Sequence, residues 1–105
     1  MSEAPLWRPS PERAAATQLH AFRAEVERRF VESLPDYAAL HAWSIAERAG
    51  FWTTVWDFCG VVGTRGDRAV EGLEQMPGAR WFPDARLNFA ENLLRRRDDA
   101  VAIIA

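Results

Sequence analysis

Lysine is absent from these 105 residues, and all thirteen basic side chains are arginine. Chemistry that needs a lysine amine, such as Schiff-base formation or the lysine of a phosphate-binding loop, is therefore excluded from this chain. Cysteine is nearly as scarce. Cys59 stands alone, which excludes an internal disulfide and any cysteine-based zinc cluster. Beside Trp56, Phe58 and Val61 it reads as a small buried hydrophobe. No apolar run approaches ~18 residues, and residues 1–11 lack the basic and hydrophobic segments of a secretion signal. Neither a membrane span nor export is expected, and the default compartment is the cytoplasm. The net charge is only −2. Arginines and acids balance five to five over residues 1–35, two to four over 36–67 and six to six over 68–105. That balance removes the basic stripe expected of a nucleic-acid binder.

Aromatic residues are what the chain has in excess: five Trp, six Phe and one Tyr. At ~150–250 Å² each, the rings carry about 1,800–3,000 Å² of surface. A chain with room for one domain and one core hides only ~60–70% of its unfolded surface. Some of the rings are therefore expected to face a partner that lies outside the chain.

The local patterns predict a mainly α fold of about four helices, with a short β-hairpin and a C-terminal strand. Ser10, Pro11 and Glu12 form a helix start, with Ser10 as cap and Glu12 facing the positive end of the dipole. Leu19, Phe22, Val26 and Phe30 continue it as one apolar stripe to a boundary near Ser33, set by Pro35. Glu25, Arg28, Arg29 and Glu32 make a solvated charge ladder on the opposite face. Asp36 caps a short second helix that carries Tyr37, Leu40 and Trp43. Ser44 and Glu47 have the spacing of a capping box, so a third helix is expected from Ser44 through Phe51, Trp52, Val55 and Trp56 to a stop at Gly60. Residues 63–67 read as a turn. Residues 68–71 and 80–82 are expected to pair around Met76, Pro77 and Gly78. Asn88 caps a last helix, with Glu91 three residues on and Phe89, Leu93 and Leu94 on its apolar side; Asp98 and Asp99 end it. The unbroken apolar run 100–105 resembles a strand covered on both faces, of the kind that opens an α/β unit. It suggests a chain cut at the start of a second domain.

Catalytic groups are harder to find. Gly60, Gly63 and Gly66 have neither phosphate-loop spacing nor a following helix, and they read as turn glycines. Arg95, Arg96 and Arg97 complement a helix C-terminus and pair with the aspartates that follow. Asp98 and Asp99 point apart, His20 and His41 are scattered, and Ser10 and Ser44 are used as caps, so no Ser-His-Asp arrangement is visible.

Several strings nevertheless form a recognisable set. They are residues 6–13, LWRPSPER; residues 36–44, DYAALHAWS; Phe51 and Trp52 followed by Trp56, Asp57 and Phe58; and residues 76–94, MPGARWFPDARLNFAENLL. Together they resemble the opening of acetoacetyl-CoA synthetases, and more loosely that of acetyl- and propionyl-CoA synthetases. The chain differs at Asp84, where that family usually has Gly. The resemblance implies an AMP-forming acyl-CoA synthetase, which uses ATP and Mg²⁺ to adenylate a carboxylate and then transfers the acyl group to CoA. Residues 1–99 would be its helical N-terminal cap domain, and residues 100–105 the first strand of the adenylation domain. No catalytic, cofactor or metal residue carries over onto this chain. ATP, Mg²⁺ and CoA would belong to the rest of the enzyme, and the isolated chain is expected to be inactive. Trp52, Trp56, Trp81, Phe82, Asn88 and Asn92 are the expected contacts with the adenylation domain of the same polypeptide. Nucleic acid and membrane are not expected partners, whereas self-association of the isolated chain is. The alternatives are a stand-alone aromatic-rich helical interaction module, the corresponding domain of an acetyl- or propionyl-CoA synthetase, and a small helical DNA binder, which the charge disfavours.

Overall fold

The computed structural model describes residues 3–105; Met1 and Ser2 of the expected cap domain lie outside them. The described residues form five helices: α1 (Pro11–Ala15), α2 (Gln18–Phe30), α3 (Tyr37–Ala46), α4 (Arg48–Phe58) and α5 (Phe89–Leu93). Four two-residue strands lie between α4 and α5: β1 (Gly63–Thr64), β2 (Val70–Glu71), β3 (Arg80–Trp81) and β4 (Arg86–Leu87). The chain divides within α4 into two compact units, one up to Thr54 and one from Val55.

In the first unit, Ser10 caps α1 as expected, accepting from the Arg13 N–H. The expected single helix is nevertheless two. The Thr17 hydroxyl donates to the Ala14 carbonyl at 2.7 Å and accepts from the His20 N–H at 3.2 Å. Such local side-chain bonds compete with helix continuation, and Thr17 becomes the cap of α2. The helix also stops at Phe30, short of Ser33. Val31 takes a left-handed conformation (φ 53°), and the turn it makes brings Leu34 into the core. On the outer face, Glu25 accepts from Arg28 and Arg29 at 2.6–3.0 Å.

Asp36 caps α3, accepting from the Ala39 N–H at 2.8 Å. Ser44 does not open the next helix. It lies inside α3, and its hydroxyl donates back to the His41 carbonyl. Glu47 breaks the backbone instead (φ −111°, ψ 55°), and α4 resumes at Arg48. Phe22, Val26, Leu34, Leu40 and Trp43 form the apolar core. Rings extend it: Phe22 meets Phe51 edge-on at 5.7 Å, and Trp43 lies 5.0 Å from Phe30 and 6.5 Å from Phe51. Thr54 is fully buried, with its hydroxyl bonded to the Gly50 carbonyl.

In the second unit, α4 ends as expected at Gly60 (φ 64°). The Gly60 and Val61 N–H groups close back onto the Asp57 and Trp56 carbonyls, the paired bonds of a Schellman motif. The expected hairpin forms as β2–β3, antiparallel, with Val70 opposite Trp81 and Glu71 opposite Arg80. It ends at Trp81 because Phe82 turns left-handed (φ 44°). A second pair, β1–β4, joins the expected 63–67 turn to the start of the last helix, with Gly63 opposite Leu87. A Cβ on Gly63 would lie 2.7 Å from the Arg86 carbonyl oxygen, so this pairing requires glycine. Asn88 caps α5 through the Glu91 N–H, but the helix ends at Leu93, well before Asp98. Residues 100–105 carry no regular structure and are exposed.

Candidate functional site

None of the residues expected to bear function sits in a catalytic arrangement. No group of three or more His, Cys, Asp or Glu side chains that could hold a metal ion occurs among the described residues. No described helix is long and apolar enough to cross a membrane. The first unit contains a cleft of about 410 Å³ lined by Trp7, Arg13, Leu19, His20, Arg23 and Tyr37, among others. Arg23 is already engaged there, donating to the Pro35 carbonyl and to His20 Nδ1. Arg13 lies over the Trp7 ring at 5.7 Å. The cleft is a surface feature held by its own side chains.

The six candidate interface residues separate into two kinds. Trp52, in the first unit, packs edge-on against Phe51 at 5.1 Å and remains 43% exposed. Trp81, in the second, is 41% exposed on β3. The other four build the second unit itself. Trp56 and Phe82 lie 5.0 Å apart and half-buried, tying the end of α4 to the turn after the hairpin. Asn88 caps α5. Asn92 does more than its place in a helix implies: its Oδ1 accepts from the Val62 N–H at 2.8 Å, and its Nδ2 donates to the Val62 carbonyl at 2.9 Å. The amide thus pairs with Val62 as a neighbouring strand would, just beyond the Gly63–Leu87 register. Nδ2 also reaches the Asn88 carbonyl.

Two further anchors have partners that the sequence does not reveal. Arg95 Nη1 donates at 2.8 Å to the carbonyls of both Cys59 and Gly60, the free acceptors at the end of α4. An arginine tripeptide suggests dipole compensation on its own helix; that this one serves a helix 35 residues away is invisible in local spacing. Arg96 does pair with Asp98 at 2.9 Å, as expected. Cys59, expected inside, is exposed: it lies just past the end of α4, in the turn that Gly60 closes.

Arg68 makes a two-pronged bond to Asp84, with both contacts at 2.8 Å. Those bonds hold the Asp84 carboxyl below its ordinary range and raise the Arg68 guanidinium further above its own. Asp84 therefore has a local task, fixing the turn at residues 82–85 to the approach to β2. Glu71, which also receives Arg80 at 3.3 Å, extends the charged ladder across the hairpin. The arrangement can position backbone and present a surface. It has no base, nucleophile or cation-binding group set for bond breaking.

The pattern of burial points the same way. Of the twelve aromatic rings only Phe22 and Trp43 are buried, and none of the described residues from Val55 to Ala105 is. Unlike the first unit, the second lacks a core of its own.

Comparison with known proteins gives one consistent family. Residues 37–93 match the family described as acetyl-coenzyme A synthetase N-terminus. An acetoacetyl-coenzyme A synthetase of Rhizobium meliloti (strain 1021) is 45% identical over 98% of this chain and 16% of its own length. A malonamoyl-CoA synthetase of Penicillium aethiopicum is 42% identical over 95% of the chain, and an acetoacetyl-CoA synthetase of Danio rerio 38% over 95%; each is covered over 15% of its length. The chain thus spans about one-sixth of these relatives. No solved structure matches it.

Proposed function

Because the chain belongs to the acetyl-coenzyme A synthetase N-terminus family, we propose that it acts as the N-terminal structural domain of an acetoacetyl-CoA synthetase. In the reaction proposed for the full-length enzyme, ATP, acetoacetate and CoA give acetoacetyl-CoA, AMP and diphosphate. The observation that carries this reading is the match of nearly the whole chain to such enzymes from a bacterium and a vertebrate.

The residues present do not fit a site for ATP, Mg²⁺ or CoA. There is no lysine, the glycines at 60–66 serve a helix end and a strand pair, and no cluster of metal ligands forms among the described residues. No chemical step is assigned to this chain, and adenylation and thioester formation fall to the remainder of the enzyme. The choice of acid is assigned there too. A relative named for malonamoyl-CoA is as similar over this stretch as those named for acetoacetyl-CoA, so these residues do not track the acyl group.

The role proposed for the chain is packing against the adenylation domain in the cytoplasm. Trp52 and Trp81 supply partly exposed rings to that contact, while Trp56, Phe82, Asn88 and Asn92 shape the unit that carries Trp81. Residues 100–105 enter that domain's sheet as its first strand. The test is direct. Full-length enzyme should form AMP in a reaction dependent on acetoacetate and CoA, whereas the 105-residue chain should show no acetoacetate-dependent ATP–diphosphate exchange. Exchange by the short chain would overturn the division of labour, and a full-length enzyme indifferent to acetoacetate would overturn the substrate.

A further inference from the structure

The apolar face of α5 is a regular element left uncovered by internal contacts. Phe89 and Leu93 are four residues apart and so share one side of the helix; they are 78% and 69% exposed. Leu87, just before, and Leu94, just after, are also more than half exposed. The backbone beneath them is held firmly: Asn88 caps the helix, Asn92 is bonded to Val62, and Arg95 is bonded to the end of α4. A short helix fixed this way, with its apolar side in water and no buried residue in its unit, presents a preformed surface.

We propose that Leu87, Phe89, Leu93 and Leu94 form a docking face of this domain, additional to the rings of Trp52 and Trp81, and that its occupant is the polypeptide beyond this domain in the same enzyme. The proposal rests on the functional reading above. Two observations select that occupant over a second copy. One phenylalanine and three leucines offer on the order of 300–500 Å² of apolar surface, short of the roughly 800 Å² per partner that a stable dimer buries. A contact too small to hold separate molecules is sufficient when the partner is covalently linked, because linkage sets a high effective concentration. The second observation is length: relatives that match almost all of this chain continue for about five-sixths of their sequence outside the match.

Limited proteolysis of Phe89→Asp and Leu93→Asp tests the assignment, in full-length enzyme and in the 105-residue chain. In full-length enzyme each variant should speed cleavage within residues 55–105 by about tenfold or more, because the docked state is lost. In the short chain, where the face is already in water, cleavage should match that of the unsubstituted chain. Full-length variants cleaved at the unsubstituted rate would overturn the proposal. So would variants that speed cleavage equally in both contexts, since that marks an internal role. A full-length enzyme that is dimeric until Leu93→Asp makes it monomeric would assign the face to a second copy instead. The functional reading is tested separately by acetoacetate-dependent activity of the unsubstituted enzyme, so either conclusion can fail alone.

Discussion

Replacing Asn92 with alanine removes one amide that makes three bonds: from the Val62 N–H, to the Val62 carbonyl and to the Asn88 carbonyl. Only the two to Val62 join distant parts of the chain. Both lie where water can reach, so their loss carries the net value of a solvated hydrogen bond, ~0.5–1.5 kcal/mol each, without the larger penalty of a sealed unsatisfied group. The link is therefore worth about 1–3 kcal/mol, which corresponds to a ~5- to 150-fold change in the local opening equilibrium. Amide hydrogen exchange at Val62, followed by NMR in the 105-residue chain, reads that equilibrium directly. Asn92→Ala should accelerate it within this range. Asn92→Asp separates the contributions: a carboxylate still accepts from the Val62 N–H but faces the two carbonyls with oxygen where an amide N–H had been. Val62 should stay protected while the amides at the end of α5 exchange faster. If Val62 exchanges in Asn92→Ala within twofold of the unsubstituted rate, the side chain does not hold β1 against α5, and the account of the second unit is wrong.

Two further outcomes concern the first unit. Leu40→Ala empties a buried position in its apolar core and should cost ~2–5 kcal/mol in denaturant unfolding; a loss below about 1 kcal/mol would show that stability resides elsewhere. Glu25 is held at about 2 by hydrogen bonds from Arg28 and then Arg29, against an ordinary 4.5. Its folded value lies below its unfolded one, so its contribution is complete above pH 4.5 and is lost as pH falls through about 2. A carboxylate NMR titration with its midpoint near 4.5 would remove the Arg28 and Arg29 contacts from the account.

Caps and stops were the legible part of this fold. Ser10, Asp36, Gly60 and Asn88 each act where the residue type alone places them, because a cap satisfies backbone groups within three or four residues. Local pattern misleads where two local solutions compete. Thr17 and Ser44 are both hydroxyl residues near a helix boundary; Thr17 starts a helix and Ser44 bonds back into one, and the choice depends on which neighbouring side chains reach the core. The two-residue strands β1 and β4 are too short to show alternation, so their pairing could not be read from pattern. Asn92 stood out only through a resemblance, as a candidate for an external contact; its bond to Val62 spans thirty residues. Arg95 was legible as a partner for a helix C-terminus, but not for that of α4, since its acceptors are backbone carbonyls and any sequence supplies those.

That contrast bears on why the second unit takes the form it does. Besides its two strand pairs, its long-range side-chain ties include Asn92 to Val62, Arg95 to Cys59 and Gly60, Arg68 to Asp84, and the ring pair Trp56–Phe82. All but the last are polar and reach water. Bonds of this kind are directional and set geometry well, yet each adds little net free energy, because the unfolded chain makes equivalent bonds to solvent. Apolar burial supplies most of the stabilisation in a folded domain, and here full burial is confined to the first unit, the second having half-buried side chains at most. A segment with well-defined shape and little burial of its own is suited to being completed by another surface. Its polar ties select the shape before contact, and its exposed leucines and phenylalanine supply the free energy on contact. This order of events predicts that substitutions on the apolar face of α5 leave the unit's conformation intact and weaken only its attachment, whereas substitutions at Asn92 or Arg95 disturb the conformation itself.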